Sequence, residues 1–424
     1  MKNLKELNCS KIRGLQDADL FAVSDCCLSL EALDISFPVY DGVTDSGFVP
    51  LSRKLTSLTR IDLSGNMSIT DKSIVSISMN CVLLRHFSIY NCPLITQKAI
   101  GEAMRGLPNL VSVGLGGTRI ASIDLFFHRS FACVKGLCVI EFSNSFISDE
   151  FLHGLANACL PLKKVVFSHC YNFSFVGVCF LLCKYRFLEY LNLKGVNFLN
   201  NGLMIELSQN LSRLKSINLD HWVEEFTTEL VINPRIKSLY LARNGNLSDE
   251  FMKKVAFLCP NLQLLNVSFC RMITEEGIGE ILKSCGEIQG LSIQLCTQIN
   301  SLGIKHFKVK KLKVLQVGAS GIDDDALITI ADTCPQLLYL DLSRCTYVTT
   351  RGIKEVVEKC RVLREIYLYF CPNVDANILP WMVISRPSLR NIGWPSNEDA
   401  TENQRNLLEP WGCGVSCYLD FLKA

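Results

Sequence analysis

A unit of about 26 residues recurs through almost the whole chain and limits its fold more than any other feature. Its marker is the first apolar residue of a repeated LxxLxL pattern, which falls at Leu58, Leu84, Leu110, Leu137, Leu162, Leu188, Leu214, Ile236, Leu262, Ile288, Leu312, Leu337, Leu363 and Leu389. The steps run from 22 to 27 residues, and Leu30 and Leu4 extend the series to about sixteen units. No unit this short can bury its own apolar face, so neighbouring units must stack into a solenoid.

Each unit has two halves with different periodicities. In "LQLLNVSF" the alternation from Leu265 to Val267 predicts a short strand. In "TEEGIGEILKSC" apolar residues recur at helical spacing after Thr274, whose hydroxyl can cap the free N–H groups of a helix start. The unit is therefore predicted to be a strand, a loop, a helix and a return to the next strand.

Stacked units of this kind predict an α/β architecture with parallel strands on one face and helices on the other. Strands pack about 4.8 Å apart, whereas helices need nearly 10 Å. The stack should therefore curve into a horseshoe, with strands on the concave face and helices on the convex face. We expect residues 1–395 to form this solenoid and residues 396–424, which include Trp411 and Cys413, to form a C-terminal cap or tail.

Three stretches carry a resemblance to a known family: "LRHFSIYNCPLITQKAI" from Leu84, "LQLLNVSFCRMITEEGI" from Leu262 and "LLYLDLSRCTYVTTRGI" from Leu337. Leucines, a cysteine, Ile/Val-Thr and Gly-Ile or Ala-Ile follow one another in the same order. This pattern resembles the cysteine-containing leucine-rich repeats of F-box/LRR-repeat proteins, including many from plants. The resemblance covers nearly the whole chain and implies a leucine-rich-repeat solenoid.

Two registers of the repeat hold 13 of the 21 cysteines. One lies eight residues after the marker (Cys92, Cys170, Cys270, Cys296, Cys345 and Cys371), and the other lies three residues before it (Cys27, Cys81, Cys159, Cys259, Cys285, Cys334 and Cys360). Residues repeated once per unit form a ladder, whereas a zinc site needs ligands that converge on one point. We expect buried free thiols and no metal site, and we expect Asn66 to replace cysteine in the first register and bond to backbone groups.

Neither composition nor motifs indicate catalysis, a cofactor, nucleic acid or a membrane. The 43 Lys and Arg against 41 Asp and Glu leave a formal charge of +2, which creates no broad field for a phosphate backbone. The six histidines are scattered, and no phosphate-binding loop motif occurs. No apolar run matches a secretion signal or a membrane span. We therefore expect a non-catalytic protein of the cytoplasm or nucleus.

The strand positions between the inward leucines are the expected contact surface for a protein partner. Tyrosines favour two patches there, because they offer large contact area at low entropy cost. The central patch is Tyr190, Asn192, Lys194, Asp220 and Tyr240, and the C-terminal patch is Tyr339, Asp341, Glu365, Tyr367 and Tyr369. Trp222, in the short and irregular stretch Leu219 to Arg235, is a further candidate anchor. An equal alternative is that these residues serve only solubility and strand formation.

The resemblance also implies a function. Proteins like this are commonly substrate receptors of SCF-type E3 ubiquitin ligases, in which an F-box binds a Skp adaptor and a cullin while the repeats hold a protein substrate. No F-box pattern is found here, because "LKEL" at Leu4 already begins a repeat. The adaptor and cullin are thus expected only if an F-box lies upstream. The alternatives are a non-ligase scaffold, or a small-molecule sensor, which would need a cluster of basic residues that the strand positions lack.

Overall fold

The computed structural model describes residues 3–40, 42–117, 129–196, 213–219, 232–395 and 412–416. They divide into two compact units. The first contains the described residues up to Val196 with Arg213 and Leu214, and the second contains those from Lys215 onward. No helix among the described residues is both long and apolar enough to cross a bilayer.

The first unit is a row of parallel strands with helices between them. The strands are β1 Glu6–Asn8, β2 Ala32–Asp34, β3 Arg60–Asp62, β4 His86–Tyr90, β5 Ser112–Gly116, β6 Val139–Ser143, β7 Lys164–Ser168 and β8 Tyr190–Asn192. The helices described here are α1 Asp17–Cys26, α2 Asp45–Lys54, α3 Asp71–Asn80, α4 Gln97–Gly106, α5 Asp149–Asn157 and α6 Phe175–Lys184. Each strand pairs in parallel with the strand of the next repeat, from β1 to β8.

The second unit repeats this plan. Its strands are β9 Ser216–Asn218, β10 Ser238–Tyr240, β11 Leu264–Asn266, β12 Gly290–Ser292, β13 Val314–Gln316, β14 Tyr339–Asp341, β15 Glu365–Tyr367, β16 Asn391–Gly393 and β17 Gly414–Ser416. Its described helices are α7 Asp249–Leu258, α8 Glu275–Ser284, α9 Asp324–Thr333, α10 Thr350–Lys359 and α11 Leu379–Ser385. The parallel pairing runs without interruption from β9 to β17.

The predicted α/β solenoid is confirmed in the packing of its core. All fourteen markers from Leu58 to Leu389 are buried, as are the inward strand residues Leu265 and Val267. Leu4 is half-buried. Burial of one apolar row per repeat is what stacks each unit on its neighbours.

The helix starts form a second ladder that links successive repeats. The backbone N–H and hydroxyl of Thr274 donate to the carboxylate of Asp249, at 2.9 and 2.7 Å, while Thr274 Oγ1 accepts from the backbone N–H of Glu276. Thr70 and Asp45 form the same pair in the first unit. Thr274 thus caps its own helix, as predicted, and the Asp that begins one helix holds the cap of the next repeat.

Two local predictions are wrong. A helix was expected in every repeat, but none forms in residues 293–313, between β12 and β13, where the structure describes every residue. The chain instead turns at Gly303, whose φ is +66°. Cys159 was expected to be buried but is exposed. Helix α5 ends at Asn157, and Cys159 then takes a left-handed conformation, with φ +50°, that turns its side chain outward.

Candidate partner-binding surfaces

A groove of about 460 Å³ lies on the strand face of the first unit, between β1 and β6. We call it the first-unit groove. Its polar lining residues are Glu6, Asn8, Asp34, Arg60, Asp62, His86, Ser88, Ser112 and Glu141. Neither predicted patch includes any of these residues, although they occupy the outward strand positions that the repeat defines.

Two aspartates face each other in the groove on neighbouring strands. Asp34 of β2 and Asp62 of β3 are paired in register. Each carboxylate accepts one backbone N–H, from Ser36 and Ser64 respectively, at 2.9 Å. Like charges directly opposite one another on a sheet are unfavourable. Burial, followed by the charge of Asp34, raises the pKa of Asp62 despite the hydrogen bonds from Ser64.

The groove also contains basic side chains. Arg60 and His86 are register partners on β3 and β4. Burial, and then the charges of Arg60 and Arg85, lower the pKa of His86, so its imidazole is neutral at pH 7. The groove therefore presents carboxylates beside an arginine and a neutral histidine, which suits hydrogen bonding to a polar protein segment.

A hydrogen-bonded network borders the groove across four strands. The hydroxyl of Tyr90 donates to Glu141 Oε2 at 3.0 Å, and Lys164 Nζ lies 2.6 Å from Glu141 Oε1. The Lys164 ammonium also lies 5.0 Å from the ring centre of Tyr190. Tyr90 crosses β5 at Gly114, where any Cβ would collide with the tyrosine hydroxyl. Tyr190 is thus held in place by neighbouring side chains.

The remaining central-patch residues are only partly described. Asn192 and Lys194 are half-buried in the first unit, and Asn192 Oδ1 accepts the backbone N–H of Lys194 at 2.9 Å. Tyr240 is half-buried at the end of β10 in the second unit. Asp220 and Trp222 lie outside the described residues. A contact role for this patch stays a prediction.

The C-terminal patch is a packed tyrosine cluster. The ring centres of Tyr339 and Tyr367 lie 5.1 Å apart, and those of Tyr367 and Tyr369 lie 5.6 Å apart. The hydroxyl of Tyr367 donates to Glu365 at 2.7 Å. Tyr369 and Ser416 share a hydrogen bond of 2.6 Å, which ties β17 to the cluster.

The residues of the C-terminal patch differ in how far they are exposed to solvent. The expectation that Tyr367, Tyr369 and Asp341 are exposed is wrong, because their exposed fractions are 7%, 2% and 3%. Asp341 accepts a hydrogen bond from Gln294 Nε2 at 2.7 Å. Tyr339 and Glu365 are half-buried and remain open to a partner. Burial raises the pKa of Tyr339 to about 12, so it is a neutral hydrogen-bond donor at pH 7.

The cysteines of the first register donate to backbone carbonyls. The thiol of Cys270 bonds to the carbonyl of Leu241 at 3.2 Å, and Cys296 bonds to that of Val267 at 3.1 Å. Asn66, as predicted, donates to the carbonyls of Ile35 and Leu63. Burial raises the pKa of Cys270 to about 12, so this thiol is not a nucleophile at neutral pH. Within the described ranges, no group of three His, Cys, Asp or Glu side chains is placed to hold a metal.

Comparison with known proteins identifies the repeat. A family model described as a leucine-rich repeat matches residues 54–78 and 258–282. F-box/LRR-repeat protein 4 of Bos taurus is 27% identical over 179 residues, which are 41% of this chain and 28% of that protein. F-box protein SKIP1 of Arabidopsis thaliana is 26% identical over 31% of this chain and 51% of its own length. Putative F-box/LRR-repeat protein 23 of Arabidopsis thaliana is 30% identical over 32% of this chain and 31% of its own length.

The chain thus matches about half or less of the length of each of these relatives. Among solved structures, an LRR protein of Leptospira interrogans aligns over 98% of this chain and 96% of its own, with 16% identity and a TM-score of 0.50. A chain from the Rad7 and Elc1 complex in yeast aligns over 85% of both chains, with 18% identity and a TM-score of 0.51. At these identities the likeness concerns the fold alone.

Proposed function

We propose that this chain is a recognition module for protein partners. Its assignment to the F-box/LRR-repeat family, at low identity and partial coverage, supports this role. The partner would be the substrate of an SCF-type E3 ubiquitin ligase and would bind the strand face. The chain itself would be non-catalytic and would need no cofactor. A Skp adaptor and a cullin would join only if an F-box lies upstream of these repeats, and the assembly would act in the cytoplasm or nucleus.

The observation that carries the binding role is the first-unit groove. Asp34 and Asp62 line it opposite one another on neighbouring strands, with Asp62 partly desolvated. Such a pair lowers stability on its own and becomes favourable when a cationic or hydrogen-bonding group of a partner lies between the carboxylates. We expect the groove to contact a protein segment that carries such groups.

The test is differential capture from the source cells with tagged full-length protein. The groove variant is Asp34→Lys with Asp62→Lys. The matched control is Glu102→Lys with Glu150→Lys, which makes the same charge change at exposed positions of α4 and α5. We expect a set of proteins that the wild type and the control capture together with a Skp adaptor, and that the groove variant loses.

Protein turnover distinguishes a ligase from a scaffold. If the chain is a substrate receptor, the captured proteins should accumulate when it is depleted and when the proteasome is inhibited. A non-ligase scaffold, the second candidate, would capture the same proteins without an adaptor and without any change in their lifetimes. Undiminished capture by the groove variant would show that the strand face of the first unit is not the recognition surface.

A further inference from the structure

A row of left-handed residues follows the strands, seven positions after each marker. Their φ angles lie between 48° and 78° wherever the structure describes this position. The backbone N–H of each second-unit member from Arg243 to Arg344 donates to the next repeat, as Phe269 does to Gln294 and Leu295 does to Gly318, both at 2.8 Å. The stacking of the repeats therefore imposes this conformation, whatever the side chain.

The two units fill the row with different residues. In the first unit it holds Lys11, Phe37, Gly65, Asn91, Gly117, Asn144, His169 and Gly195. In the second unit it holds Arg243, Phe269, Leu295, Ala319, Arg344 and Phe370. Glycine accepts the left-handed region freely, and asparagine and histidine are enriched there, whereas large apolar residues are strained. The second unit has none of the favoured residues at six successive positions.

These strained side chains are also presented to solvent. Phe269 is 40% exposed and Leu295 is 37% exposed. The guanidinium of Arg243 lies 5.3 Å from the ring centre of Phe269, and that of Arg344 lies 5.1 Å from the ring centre of Phe370. Both arginines are exposed, and each stacks on an aromatic side chain of the next repeat. We call these six residues the arginine–aromatic row.

The four-residue segments that begin at the row positions have a one-sided charge. Residues 243–246, 269–272, 295–298, 319–322, 344–347 and 370–373 include Arg243, Arg271 and Arg344 and no Asp or Glu. Met272 and Tyr347 add further exposed apolar surface in the same segments. Strain, exposure and positive charge thus coincide along one edge of the second unit, which points to recognition of a partner.

We propose that the arginine–aromatic row is a docking edge for an acidic peptide segment that also carries apolar side chains. Carboxylates would pair with the arginines, and the apolar side chains would cover Phe269 and Leu295. Five strand spacings of about 4.8 Å give roughly 24 Å, which about seven or eight extended residues span. The proposal rests on the proposed role in protein binding but concerns a surface separate from the first-unit groove.

Peptide selection on the full chain tests the proposal. A phage-displayed library of random 12-residue peptides is selected on the wild type, and the dissociation constants of the enriched peptides are measured by fluorescence anisotropy. We expect Asp or Glu beside Leu, Phe, Tyr or Trp in the enriched peptides. Binding should weaken at least about tenfold in Arg243→Ala with Arg344→Ala and in Phe269→Asn with Leu295→Asn.

Stability measurements separate a binding role from a structural one. Asparagine suits φ values of +64° and +59°, so Phe269→Asn with Leu295→Asn should keep or raise the urea midpoint while peptide binding is lost. Phe37→Asn, at the same position of the first unit and outside the residues that line the groove, should leave peptide binding unchanged.

Other outcomes would overturn the docking edge. The docking edge would be refuted if the selection enriched no acidic peptide. It would also be refuted if the row variants bound the enriched peptides as tightly as the wild type does. Loss of binding in Asp62→Asn alone would move recognition to the groove and leave the proposed function standing. A 12-nucleotide single-stranded RNA that binds more tightly than the peptides, through the same arginines, would replace a peptide partner with a nucleic acid.

Discussion

At the scale of single residues, aspartates in this chain have opposite electrostatic roles. Burial, and then Asp34, raises the pKa of Asp62. Burial also acts to raise the pKa of Asp324, but hydrogen bonds from Thr349 and Arg351 outweigh it, and the pKa falls. The difference lies in the partners each carboxylate has. An aspartate whose charge is disfavoured in the folded state, in an open groove, indicates a site for a partner.

Replacing Asp62 with asparagine should stabilise the protein at pH 7, by a few tenths to about 1 kcal/mol. Asparagine keeps an oxygen for the Ser64 N–H and removes the charge opposite Asp34. The pKa of Asp62 is higher in the folded state than in the unfolded state. The contribution of its carboxyl group to the free energy of unfolding is therefore complete below the unfolded-state pKa and is lost as the pH rises through the folded-state pKa. Urea unfolding from pH 3 to pH 7 should show the advantage of Asp62→Asn growing with pH. A constant or reversed difference would contradict a folded-state pKa of Asp62 that is raised by burial and by Asp34.

At the scale of secondary-structure elements, the sequence predicts where the helices begin but not the hydrogen bonds that join one helix start to the next. The Thr before a run of helical periodicity suggests a local cap, and the cap is present at Thr274. The bond from Thr274 to Asp249, 25 residues earlier, follows only once the repeats are stacked. The glycine in "EEGI" is likewise explained only by the stacking of the repeats, because Gly277 packs directly on Asp249 of the preceding repeat.

Gly277→Ala should destabilise the second unit, because the new Cβ would collide with the Asp249 carboxylate. Gly286 is the matched control, since its site is open and a Cβ there meets no atom within 4 Å. We expect a loss of about 1–3 kcal/mol for Gly277→Ala and a change near zero or slightly favourable for Gly286→Ala. Urea unfolding followed by circular dichroism measures both. Equal effects of the two substitutions would refute the close approach.

Asp324 should contribute stability that depends on pH. Its folded pKa is lowered, so the contribution is complete above the unfolded value of about 3.9 and is lost as the pH falls from there through the folded pKa. Asp324→Ala should lower the free energy of unfolding by about 1–2 kcal/mol at pH 7, and the difference from the wild type should disappear in acid. Asp325→Ala is the control, because that exposed carboxylate should contribute little through its bond to Arg351. A gap that persisted at pH 2 would show that packing, not charge, explains the loss.

At the scale of the whole molecule, the repeat predicts the fold well and the surface poorly. One apolar register is enough to place Leu58 through Leu389 in the core. Exposure on the strand face depends on the neighbours across the sheet, which no single repeat encodes. Asn391 and Ser416 bond to the hydroxyls of Tyr367 and Tyr369 and bury two predicted anchors. The first-unit groove was missed because its residues are small or charged, and a search for tyrosines passes over them.

A stack in which each repeat contacts only its neighbours should unfold from its end. In the second unit, burial raises the pKa of Cys270 and Cys371 to about 12 and of Cys296 and Cys345 to about 11. These thiols should resist iodoacetamide at pH 7.5 in the native protein, whereas the exposed Cys159 should react at once.

Rising urea should then release the thiols in order. Of these four cysteines, Cys371 has the fewest described repeats after it, with only β16 and β17 beyond its own strand β15, so fraying from that side of the second unit reaches it first. Mass spectrometry of pulse-labelled protein gives a midpoint for each cysteine, and we expect the lowest midpoint for Cys371. If the four midpoints coincided, the second unit would unfold as a single cooperative body, and the coupling between its repeats would exceed what nearest-neighbour stacking provides.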